Sequence, residues 1–143
     1  MTMSVHDQAE ALGRRRARFL PVMAMVLLSQ QVLFIQWDGR AVTTTQMIAW
    51  AVLATANLAA LLLNGGWFAS REVRALANDE LTRAHRSQAI TGGFAAAMIT
   101  AVLVFVVSPF EPITAQRAAH MIVSIGLAVA LLSFGLLERR AIG

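Results

Sequence analysis

Five ionisable side chains crowd into eight residues of this chain: Asp79, Glu80, Arg83, His85 and Arg86, in the run DELTRAHR. Carboxylates, an imidazole and guanidinium groups at that density can hold a lipid phosphate or a metal, as a lipid head-group enzyme would. On a helix they can also pair with one another. Asp79 and Arg83 are four apart, Glu80 and Arg83 three apart, and Arg86 lies on the same side as Arg83, so one face sets acids beside bases. Such pairs satisfy each other with no substrate present. Asp79, Glu80, Arg83 and Arg86 are therefore read as candidates for binding a partner, not for catalysis.

The remaining chemistry is sparse. His6 and His120 lie far from His85 along the chain, too scattered for the ligand set of a metal site. Cysteine is absent, which removes disulfides, thiolate zinc sites and cysteine nucleophiles. There is no HExxH, no GxSxG and no phosphate-binding glycine loop; Gly92-Gly93 sits within an apolar run. No catalytic residue, metal or cofactor is expected, and the chain reads as non-enzymatic.

A second polar set is embedded in apolar surroundings: Ser29, Gln30 and Gln31, then Thr55 and Asn57, Thr100, Ser124 and Ser133. An amide in lipid must find a partner, so Gln30 or Gln31 is expected to bond Asn57 or a backbone carbonyl of a neighbouring helix. Gln30, Gln31 and Asn57 are the intramembrane polar candidates, serving helix adhesion or a small ligand such as a quinone or lipid.

The elements that must position these groups are four apolar runs, each near the roughly 20 residues that cross a hydrocarbon core. They are 19–37, with Pro21 expected in the opening turn, 45–64, 89–107, stopped by Ser108-Pro109, and 118–137. None contains Asp, Glu or Arg. The first is too long for the apolar core of a signal peptide and lacks a small-residue cleavage pattern at Gln36-Trp37-Asp38. A soluble bundle would need a polar face on each helix, and these runs are apolar nearly all round. Composition agrees: 143 residues, 57% hydrophobic and 14% charged, against roughly 25% charged in soluble domains.

Arginine placement sets the orientation. Arg14, Arg15, Arg16 and Arg18 precede the first run, Arg71, Arg74, Arg83 and Arg86 separate the second from the third, and Arg139 and Arg140 follow the fourth. Only Arg40 and Arg117 fall on the other side. The positive-inside rule then puts both termini and the central loop in the cytoplasm. The net charge of +4 is thus an orientation signal, and no direct nucleic-acid partner is implied. Trp37 and Trp67 fall near the two interfaces, and Trp50 lies deeper. The outer loops, about seven and ten residues long, are too short for a domain and imply hairpins. The expected architecture is all-α: a basic cytoplasmic tail, 1–18, then one transmembrane domain, 19–140, with four helices in two antiparallel hairpins and helical cytoplasmic extensions over 65–88.

Within 65–88, Asn64-Gly65-Gly66 is a weak point in the second helix, and Ser70 can restart or cap one. Asn78 reads as the cap of a returning helix, with Asp79 and Glu80 in its first turn, where the helix dipole favours acids. The second span is expected to continue to about Ala77, with Val73, Leu76, Ala77, Leu81 and Ala84 forming an apolar stripe that seals the two extensions or receives a partner. Small residues four apart, Gly93/Ala97, Ala56/Ala60 and Gly126/Ala130, mark faces where helices can approach closely.

The stretch from Arg74 to Phe94, RALANDELTRAHRSQAITGGF, followed by an apolar span, resembles uncharacterised small bacterial four-span membrane proteins that carry an Asp-Glu pair in the central cytoplasmic loop. Some of these occur beside helix-turn-helix regulators. The resemblance covers about twenty residues and the span plan, and it implies a regulator anchored in the bacterial inner membrane. In size the chain also resembles small multidrug exporters. Those use a membrane-embedded carboxylate, which is missing here, since Asp38, Asp79, Glu111 and Glu138 all lie at ends or loops. The expected partners are membrane lipids and either another protein or a second copy of the chain.

Overall fold

The computed structural model describes residues 4–35, 43–63, 70–77 and 79–142. The expectations placed on Trp37, Asp38, Arg40, Asn64-Gly65-Gly66, Trp67 and Asn78 lie outside them, as do the side chains of His6, Arg74, Leu76 and Ala77. Every element among the described residues is a helix: α1 Val5–Ile35, α2 Thr44–Leu62, α3 Arg71–Ala77, α4 Glu80–Val107 and α5 Ala115–Ile142. Three of them, α2, α4 and α5, are long and apolar enough to cross a membrane. The apolar run 19–37 continues past α1 into Gln36 and Trp37, beyond the described residues.

The helix boundaries follow local hydrogen bonding. α1 starts at Val5 because Ser4 and Asp7 cap each other: the Asp7 amide donates to Ser4 Oγ at 3.2 Å, and the Ser4 amide to Asp7 Oδ2 at 3.2 Å. The segment expected as a tail is therefore helical from residue 5. Pro21 lies deep inside α1, not in an opening turn. α2 opens on a reciprocal box in which Thr43 Oγ1 accepts from the Gln46 amide and Gln46 Oε1 from the Thr43 amide, at 3.4 and 2.9 Å. It closes at Leu62, so the second span does not extend to Ala77; a separate helix, α3, begins after Ser70, whose hydroxyl accepts from the Val73 amide at 3.3 Å. α4 is capped by Asp79, one residue later than expected, and runs unbroken to Val107. Pro109 cannot prolong the ladder, and Ser108 closes it by donating its hydroxyl to the Phe105 carbonyl at 2.9 Å.

α5 is the centre of the bundle. α4 packs along one side of it and α1 along the other, α2 touches it lightly, and α3 lies against α1. α4 and α5 form the expected antiparallel hairpin contact. α1 and α2, neighbours in sequence, make little contact among the described residues. Lipid tails are as apolar as the helices, so sequence neighbours pair only where their surfaces fit.

Two close fits explain the choice of α5. Gly93 and Ala97 of α4 meet Gly126 and Ala130 of α5: a Cβ on Gly93 would lie 2.6 Å from the Gly126 carbonyl oxygen and 2.7 Å from Ala130 Cβ. The two small-residue pairs interlock with each other. On the other side, the Pro21 ring rests on Gly135, where a Cβ would lie 2.6 Å from Pro21 Cδ. Around that notch Leu20, Ala24 and Leu27 of α1 bury against Ala128, Leu131 and Phe134 of α5, with Leu61 and Ala89 completing the core. Along its apolar stretch, the outward surface of α4 is hydrocarbon instead of charge. Phe94, Met98, Leu103 and Phe105 of α4 are exposed, and only 11% of its most apolar stretch is buried, as expected of a helix that faces hydrocarbon.

Candidate functional site

The densest polar structure lies at the end of the bundle where α1 begins to bury, α4 starts and α5 finishes. Glu138 of α5 sits between two bases. Its Oε2 is 4.0 Å from Arg16 Nη1 of α1, and its Oε1 is 3.3 Å from His85 Nδ1 of α4. Arg16 and Glu138 are only 5% and 6% exposed, so this is a buried charge cluster, not a solvated pair. Burial pushes the Arg16 guanidinium down from its ordinary value; Glu138 and Asp79 oppose that, and Arg86 adds to it. The cluster links three helices through Glu138, and removing that carboxylate would leave the buried Arg16 guanidinium without its counter-charge.

Asp79 and Arg86 flank the cluster and terminate helices. Asp79 Oδ1 accepts from the Thr82 amide at 2.8 Å. That bond holds the Asp79 carboxyl below its usual range, with burial opposing it and nearby His85 and Arg16 contributing. Arg86 Nη1 donates to the Leu62 carbonyl at 3.0 Å, placing a cation on the last turn of α2, where the helix dipole is negative. Thus Arg86 ties α4 to α2, while Glu138 ties α5 to α1 and α4.

The four partner-binding candidates consequently separate. Asp79 and Arg86 are engaged with backbone, whereas Glu80 and Arg83 are exposed on the first turns of α4. The apolar stripe separates too: Val73 is buried beside α1, while Leu81 and Ala84 face outward. In sequence, Arg16 and Glu138 look like flanking charges among exposed neighbours. Helical spacing carries the missing signal, since Arg16 leads the line Leu20, Ala24, Leu27 and Glu138 ends the line Leu131, Phe134, both of which are core stripes.

The intramembrane polar residues occupy two levels. Near the start of α5, the Gln31 amide donates to the His120 carbonyl at 3.5 Å, the Trp50 indole donates to Ser124 Oγ at 3.1 Å, and the Trp50 and His120 rings are 5.1 Å apart. Asn57 follows Trp50 by seven residues, about 10 Å further along α2. Its amide donates to the Leu53 carbonyl of its own helix at 2.8 Å. Gln31 and Asn57 thus take different partners. Gln30 Oε1 and Asn57 Oδ1 are buried and have no hydrogen-bond partner among the described residues.

Chemically, Glu138 is occupied by two bases and Asp79 by a helix cap. Among the described residues no group of three His, Asp or Glu side chains is placed to hold a metal ion. The contacts these residues make fasten helix to helix. No family model, curated protein or solved structure matches the chain.

Proposed function

We propose that the chain is a non-enzymatic integral protein of the bacterial inner membrane. It crosses four times in two antiparallel hairpins, keeps both termini in the cytoplasm, and binds a partner protein through its cytoplasmic face as an accessory subunit or a membrane tether for a regulator. The observation that carries this reading is Leu81, 52% exposed on the first turn of α4 beside exposed Glu80, Arg83 and Ala84. An apolar side chain ringed by charge at a helix end, beyond the apolar stretch that lipid would cover, is a foothold for another protein. One turn further along α4, His85 joins the Arg16–Glu138 pair that links this helix to α1 and α5.

Asp79 caps α4, so its removal would confuse docking with folding; Leu81→Arg combined with Arg83→Glu leaves the cap intact. The wild-type chain, extracted in detergent, should retain a stoichiometric partner that the double variant loses. If every association survives the double change, docking at this face is wrong. A second copy of the chain is the competing partner, and crosslinking of purified protein separates the two. Orientation is tested with single cysteines at Ser70 and Ser108: on intact cells an impermeant reagent should label the second and spare the first.

A second reading rests on Gln30 Oε1 and Asn57 Oδ1, both buried acceptors without a donor among the described residues. A small apolar ligand carrying a hydroxyl, such as a quinol or a lipid, would supply one. Organic extraction of purified protein should then yield that ligand from wild type and lose it on Asn57→Leu.

A further inference from the structure

The four arginines that precede the core of α1 do different things. Arg16 points inward to Glu138, and Arg14 pairs with Glu10 one turn back at 3.1 Å. Arg15 and Arg18 are exposed and have no carboxylate partner among the described residues. They border a shallow, solvent-open groove between side chains along one face of α1, together with Ala11, Arg14, Phe19 and Val22. Below it the same helix exposes Phe19, Val22 and Met25, at 53%, 57% and 61%. The face therefore changes within two turns from two unpaired guanidinium groups to a strip of exposed hydrocarbon.

We propose that this groove is a binding site for one anionic phospholipid, with Arg15 and Arg18 holding the headgroup phosphate and an acyl chain lying along Phe19, Val22 and Met25. Guanidinium groups match phosphate oxygens in geometry as well as charge. The order of the residues matches the molecule: cations at the end toward the cytoplasm, hydrocarbon toward the bilayer centre. A generic positive-inside signal needs only charge near the boundary. Here two cations lie four helical positions or fewer from the apolar strip, on its own face, while the other two are taken up by carboxylates. The proposal rests on membrane placement of α1 but not on partner docking at α4.

The test uses purified full-length protein in detergent, with lipids retained on the protein counted by native mass spectrometry after addition of phosphatidylglycerol or phosphatidylcholine. Wild type should hold one phosphatidylglycerol in preference to phosphatidylcholine. Arg15→Gln with Arg18→Gln should weaken that retention at least about tenfold. Arg139→Gln with Arg140→Gln removes the same charge from the last turns of α5, at the same end of the bundle but on another helix, and should leave it intact. Equal retention of the two lipids overturns the site, as does an equal loss in the two double variants or no loss in the first. Carbonate extraction of native membranes tests placement separately. Release of the chain into the supernatant would defeat the membrane reading itself, while a chain that stays embedded without lipid selectivity defeats only the site.

Discussion

The pyrrolidine ring of Pro21 on α1 fits over Gly135 on α5 so closely that a Cβ at the glycine would lie 2.6 Å from Cδ and 2.7 Å from Cγ. Gly135→Val should therefore destabilise the bundle by about 1–3 kcal/mol through overpacking. Pro21→Ala, which removes the ring and restores an amide, should recover part of that loss. Unfolding in mixed micelles of all four combinations would give a coupling of about 0.5–3 kcal/mol. Strict additivity would mean that the two residues do not meet.

Adjacent glycines in α4 should respond in opposite ways. A Cβ at Gly92 meets nothing within 4 Å, whereas one at Gly93 meets the Gly126 carbonyl and Ala130. Gly92→Ala should be neutral or add up to about 1 kcal/mol through helix propensity. Gly93→Ala should cost about 1–3 kcal/mol and loosen α4 from α5. Thermal unfolding in one detergent compares them directly, and similar effects at both positions would count against the interlocked crossing.

Glu138 is expected to be the costliest single polar change. Glu138→Gln leaves Arg16 buried without its counter-charge and should lower stability by about 3 kcal/mol. Replacing both Arg16 and Glu138 by Met removes the desolvated charges together and should restore most of the loss. Denaturant titration of the single and double variants reads this, and a double variant no better than Glu138→Gln would mean that the pair is not coupled.

Acid should weaken the start of α4. The Asp79 carboxyl is held below its ordinary value, chiefly by the Thr82 amide, so the folded state takes up its proton less readily than the unfolded one. Its contribution is therefore complete above the unfolded value, about 3.9 for Asp, and is lost as pH falls through the lower folded value. Asp79→Asn keeps a capping oxygen and removes the titration. The stability difference between wild type and this variant should shrink as pH drops below about 4, and a difference independent of pH would show that the cap does not titrate.

Much of this arrangement was legible in residue order. Apolar runs named α2, α4 and α5, Ser108-Pro109 named the end of α4, and two small-residue pairs named the surfaces that interlock. Other features were hidden for identifiable reasons. Ser4 and Asp7 extend α1 by a cap that is easily missed next to the arginine run that follows. Gly135 has no small residue four positions away, because its partner is a proline on another helix. The preference of α1 for α5 over α2 depends on that notch, and hydropathy assigns no partner to any face. Arg16 and Glu138 resembled their exposed neighbours until helical spacing placed them on core stripes. Sequence marks Asp79 for docking, yet its carboxylate serves its own helix, while Leu81, two residues on, faces outward with Glu80, Arg83 and Ala84.

The helix that receives α1 is the last one in chain order. Arg16 and Glu138 are separated by about 120 residues, which at about 5–20 residues per second of synthesis is roughly 6–25 s. During that interval α1, α2 and α4 leave the ribosome with no common neighbour, and the Pro21 ring and the Arg16 charge wait for the surface that fits them. Assembly of this bundle is therefore completed late in its biogenesis, timed by the arrival of α5: a chain arrested before residue 115 can keep α3 on α1 and Arg86 on the end of α2, but lacks the surface that joins α1 to α4.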